Sequence, residues 1–91
     1  MSDNLVDIES AYLRANSAWE ELKLHAHRSV NDISYMSDRA MAAVRAAAKA
    51  VSLARNASNK EAKEAWRLAA LACDRAAQCV ASIATCVDKH T

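Results

Sequence analysis

ISYMSDRAMAAVRAAAKAVSLARNA, residues 33–57, carries its apolar side chains at alternating intervals of three and four. The series is Ile33, Met36, Ala40, Ala43, Ala47, Ala50, Ala54 and Ala57, and from position 40 onward every member is alanine. That spacing places all eight residues on one face of an α-helix. Alanine has the highest helix propensity of any residue. It also projects so little that a neighbouring helix can approach to about 8 Å, the short end of the usual interaxial range. The stretch is expected to be the central helix of a closely packed bundle.

The composition agrees. The 91 residues contain neither Gly nor Pro. Tight turns between strands draw on both residues, so an all-β or mixed fold is disfavoured. The phosphate-cradling loops of nucleotide-binding proteins need glycines and are excluded outright. The hydrophobic fraction is 53%, but alanine inflates it, Phe is absent, and Trp and Tyr number two each. A core made this way is broad and thin. Burial stabilises by about 25 cal/mol per Å², so alanine contributes little, and the fold is expected to lean on helix propensity and on association.

Upstream, a second seam runs through Leu5, Ile8, Tyr12, Ala15, Trp19, Leu22 and Ala26. Ser2 or Asp3 suits its start, and Asp7 and Glu9 suit the positive end of the helix dipole. Ser17-Ala18-Trp19-Glu20 has the form of a capping box, but the seam keeps its phase across it, so one continuous helix is expected. The residues Ser29-Val30-Asn31-Asp32 suit a turn. The alternative is a single helix over 4–57, which would span ~80 Å and need a coiled-coil partner. Downstream, Ser58-Asn59-Lys60-Glu61 is a second capping box. Beyond it the seam is expected to run through Ala62, Trp66, Ala69, Cys73, Ala76, Val80, Ile83 and Val87. The expected fold is therefore all-α: one domain over 1–91, an antiparallel three-helix bundle with coiled-coil-like seams, helices at about 3–28, 32–57 and 59–89, open to completion by dimerisation.

Few residues offer chemistry. His25 and His27 are two apart and point to different sides of a helix, His90 lies at the chain end, and no CxxC or HxxxH spacing occurs. No metal site and no cofactor are expected. Cys73, Cys79 and Cys86 fall on one helix, and Cys79 and Cys86 lie about 10 Å apart along its axis, too far for a disulfide. They read as small apolar residues in a reducing compartment. Glu61 is accounted for by capping and Glu64 by Lys60, Lys63 and Arg67 around it, so no catalytic set emerges and no enzymatic activity is expected. No apolar run approaches the ~20 residues of a membrane span, and the acidic MSDNLVDIES start lacks the layout of a signal peptide. The expected location is the cytoplasm, without a membrane partner.

Two sets of residues suggest partners. Val6, Leu13 and Leu24 fall opposite the first helix's seam, and Leu68 and Leu71 fall off that of the third; such a line of apolar residues marks an interaction surface for another protein or a second copy. Arg45 and Lys49, with Lys60, Lys63 and Arg67, form two basic rows. The second row sits at a helix start, where the dipole disfavours cations, which hints at an anionic partner. The net charge of +1 and the lack of interleaved aromatics make nucleic acid the weaker alternative. The leading expectation is a small helical binding module that covers a surface of a partner protein, as inhibitors, immunity factors and anti-defence proteins do.

Overall fold

The structure, a computed structural model, describes residues 3–24 and 32–89. It contains α1 (Asp3–Leu24), α2 (Asp32–Arg55) and α3 (Ala62–Lys89), each packed against the other two. The bundle is a rod measuring 49 × 16 × 15 Å.

Polar contacts fix the directions. Asn4 near the start of α1 donates its side-chain amide to the Leu53 carbonyl near the end of α2, at 3.1 Å. At the other end Glu21 accepts from both Tyr35 and Arg39, each at 3.2 Å. Helices α1 and α2 are therefore antiparallel. Arg75 of α3 donates 2.9 Å to Asn16 of α1, and the six-residue connector between α2 and α3 returns the chain. The topology is up-down-up. A single helix over 4–57 is excluded by the antiparallel pairing, while the turn expected around Ser29–Asn31 lies outside the described residues. Helix α1 is continuous through Ser17, as its unbroken seam implied.

The core joins all three helices. From α1 come Leu5, Ile8, Ala11, Ala15, Ala18 and Leu22, with Tyr12 and Trp19 half-buried beside them. From α2 come Met36, Ala40, Ala43, Ala46, Ala47, Ala50 and Ala54, the expected seam with Ala46 added and without its ends, Ile33 and Ala57, which are half-buried, Ala57 lying in the connector beyond Arg55. Small side chains on this face let both neighbours close in.

The third helix departs from its expected phase. Its buried residues are Ala65, Leu68, Ala69, Ala72, Ala76, Cys79 and Cys86. Trp66, Cys73, Val80 and Val87, expected in the seam, are exposed. Ala69 and Ala76 keep their expected places, and the buried face is turned from the expected one by roughly 70°, so that its thin side meets the bundle. Against the alanine seam of α2 there is room for Ala and Cys, and a Trp or Val there would force the axes apart.

The connector also differs from expectation. The Asn56 and Ala57 amides bond back three residues to the Leu53 and Ala54 carbonyls, tightening the end of α2. The Glu61 amide donates to the Ser58 carbonyl at 3.0 Å, and the Ala65 amide donates to the Glu61 carbonyl at 2.9 Å. Glu61, not Ser58, is thus the residue whose carbonyl opens the helical ladder. The capping box is spent on the reversal itself, with the Ser58 hydroxyl 3.5 Å from the Glu61 carboxylate.

Candidate interaction surfaces

Helix α1 presents the line that its sequence suggested. Its core face points inward through Ile8, Ala15 and Leu22, and its flank through Asn16 and Trp19 reaches α3. Val6, Leu13 and Leu24 lie on the remaining side and are 47%, 52% and 82% exposed. Leu71 of α3 is half-buried. Leu68 is only 5% exposed and belongs to the core. Its assignment to a partner surface is corrected by the same rotation of α3 that expels Trp66.

That rotation creates a surface the sequence reading missed. Trp66, Ala70, Cys73, Ala77, Val80, Ala84 and Val87 follow one another at intervals of four and three, and all seven are exposed. The large members Trp66, Val80 and Val87 are 45%, 50% and 37% exposed. They form a complete coiled-coil stripe facing away from the core. Arg75, which contacts α1, marks the other flank of α3, so this stripe lies on the α2 side. Helix α2 reaches α1 through Tyr35, Arg39 and Leu53, and its opposite flank carries Met41, Val44, Ala48 and Val51. Those four residues border the α3 stripe and widen it into a shallow apolar face.

Residues Ala62–Asp88 are long and apolar enough to cross a membrane by length and composition alone, with 22% of the relevant window buried in the bundle. The helix is nonetheless interrupted by Arg67, Asp74 and Arg75, so no unbroken apolar run reaches the length of a span. Ala, Cys, Val and Ile after Arg75 raise the average despite these charges. Insertion would carry Asp74 and Arg75 toward lipid, at about 2.5–3.5 kcal/mol each near a helix centre. It would also break the contacts of Arg75 with Asn16 and Trp19.

The five basic residues are all exposed, but they do not form one surface. Arg45 and Lys49 lie on the outer side of α2, Lys63 and Arg67 on the outer side of α3, and Lys60 in the connector. Arg67 is engaged by Glu64 through both its Nε, at 3.0 Å, and its terminal nitrogen. This contact holds the Glu64 carboxyl below its ordinary pKa and the guanidinium above its own.

Among the described residues no group of three or more His, Cys, Asp or Glu is placed to hold a metal ion. Cys79 and Cys86 are buried, Cys73 is exposed, and all three are free thiols. Burial pushes the Cys79 thiol pKa up, which keeps it protonated and unreactive. No family model matches the chain, and no curated protein or solved structure matches it.

Proposed function

We propose that the protein is a non-enzymatic helical module that acts in the cytoplasm by docking on another protein and covering part of its working surface. The observation that carries this reading is the exposure of Val6, Leu13 and Leu24 on the side of α1 turned away from the bundle. Scattered surface leucines are ordinary, but three on one helical line form an apolar ridge suited to a groove on a partner. Inhibitors and immunity or anti-defence factors fit this economy: one rigid helical face and no chemistry of their own.

Leu13→Glu combined with Leu24→Glu tests the reading. The wild-type chain and the double variant are immobilised in parallel against the native lysate, and any retained protein is purified and titrated against both. Docking through α1 predicts a partner bound by the wild type and weakened at least about 100-fold, or ~2.7 kcal/mol, by the double substitution. Equal binding by a folded double variant removes α1 as the docking face. A complex that instead loses several orders of magnitude between about 50 and 200 mM salt is phosphate-driven; it would replace protein docking by nucleic-acid binding through Arg45, Lys49, Lys60, Lys63 and Arg67.

A further inference from the structure

We infer that the exposed stripe of α3 is a homodimer interface in which two copies of α3 pair antiparallel about a two-fold axis near position 78–79. The reasons lie in how the stripe complements itself. Large and small residues alternate along it: Trp66, Cys73, Val80 and Val87 occupy one set of seam positions, and Ala70, Ala77 and Ala84 the other. In an antiparallel pair each layer joins a residue of one set to a residue of the other. Within the overlap each Val and Cys73 then faces an alanine, and the axes stay close and parallel. A parallel pair would put Trp66 against Trp66 and Ala70 against Ala70, alternately forcing the helices apart and leaving gaps.

Charge selects the register. Two antiparallel registers cover six seam layers. One centres near position 75 and brings Asp74 of the two copies together at the axis, which like-charge repulsion disfavours. The other sets Ala70 against Val87, Ala77 against Val80 and Ala84 against Cys73, each twice. It also brings Arg67 of one copy beside Asp88 of the other, and Asp74 beside Ala81. Shorter overlaps leave Val80 and Val87 or Trp66 and Ala70 uncovered. The second register leaves Trp66 beyond the end of the seam, but it is the one that buries six layers with opposite charges at its edges. The seam runs about 26 Å from Ala70 to Val87, and Met41 and Val44 of α2 flank it. The α1 ridge faces elsewhere, so the dimer does not depend on the docking reading and would display two ridges at once.

Sedimentation of the full chain from about 0.1 to about 100 µM tests the dimer. The expected result is a species of twice the chain mass, converted to a helical monomer by Val80→Glu. A wild-type monomer throughout the range overturns the proposal, as does an intact Val80→Glu dimer. Should that variant lose its helical signal, the wild type decides alone. Cys73 alkylation is expected to slow about tenfold between the dilute and concentrated ends, because pairing covers the thiol; a rate independent of concentration overturns the interface. Shielding of Cys73 only by another protein does so too. Ala84→Cys reports the register: mild oxidation with diamide should link position 84 of one copy to Cys73 of the other. Linkage through Ala77→Cys instead, or through two Cys73 thiols in the wild type, overturns it. Leu13→Glu with Leu24→Glu leaves the dimer unchanged, which separates its failure from that of α1 docking.

Discussion

The Arg75 guanidinium lies 4.5 Å from the centroid of the Trp19 ring, tying the middle of α3 to the end half of α1. The same side chain donates 2.9 Å to Asn16, one turn back along α1. Lys23 sits 3.8 Å from the ring centroid, so two cations share one indole. A cation over Trp contributes about 0.5–1 kcal/mol at exposed sites, and a hydrogen bond about 1 kcal/mol. Arg75→Ala is therefore expected to cost about 1–2 kcal/mol, a fall of roughly 4–16 °C in Tm for a domain of this size. Arg75→Lys should recover part of the ring contact but not the Nε bond. A double-mutant cycle with Trp19→Leu at fixed protein concentration checks the pairing: coupling below about 0.3 kcal/mol means that the two residues act independently.

Close approach through the alanine seam makes a second outcome specific. Ala43 is fully buried between α1 and α3, and a Leu there has no cavity to enter. Overpacking costs typically about 1–3 kcal/mol, and the lack of bulky neighbours able to yield should place Ala43→Leu at the upper end. Ser17→Leu adds a similar volume on the exposed side of α1 and should stay within about 0.5 kcal/mol of the wild type. Urea unfolding of both variants measures the contrast. Equal midpoints would show that the helices are not held close by the thinness of this seam.

How far the sequence exposes this arrangement differs from helix to helix. On α2 the alanine heptad leaves one face that could be buried, and that face is buried. On α1, Leu5, Ile8, Ala15 and Leu22 are buried as their spacing implies, but Ala11 and Ala18 also enter the core while Tyr12 and Trp19, expected in the seam, stay half-buried. On α3 size and phase conflict. Trp66, Val80 and Val87 carry the area that usually drives burial, while Ala65, Ala72 and Cys79 carry the shape that fits beside α2. Steric fit wins, because a wide seam on α3 would undo the close contacts that the alanines make elsewhere. The bulky phase therefore faces outward as the stripe, and Leu68 lies in the core. The signal that could have found the stripe was present: two apolar phases on one helix, of which a three-helix bundle can bury only one.

Leu68 and Leu13 should separate core from surface. Leu68 packs in the core, and its truncation to Ala is expected to cost about 2–5 kcal/mol. Leu13 stays 52% exposed, and Leu13→Ala should lie within about 0.5 kcal/mol of the wild type. Chemical denaturation with an unchanged m-value gives both numbers directly. A Leu13→Ala cost approaching that of Leu68→Ala would mean that α1's outer side is covered within the folded species.

The buried thiol of Cys79 gives the fold an alkaline limit. Burial raises its pKa above the ordinary 9.0, so the folded state holds the proton more tightly than the unfolded state. Between the two pKa values the native protein binds more protons than the unfolded chain, and stability falls as pH rises. The contribution is fully present below pH 9.0 and is lost as pH climbs toward the raised native value, where a thiolate would have to be buried. Tyr35 acts in the same direction from 10.0 upward: desolvation is the chief cause of its upward shift, helped by its hydrogen bond to Glu21. Cys79→Ala removes the earlier of the two losses. Melting curves at closely spaced pH values should therefore show a decline starting near 9 in the wild type, and starting about one pH unit later in Cys79→Ala, where Tyr35 takes over. The same onset in both proteins would mean that Cys79 titrates alike in the folded and unfolded chains.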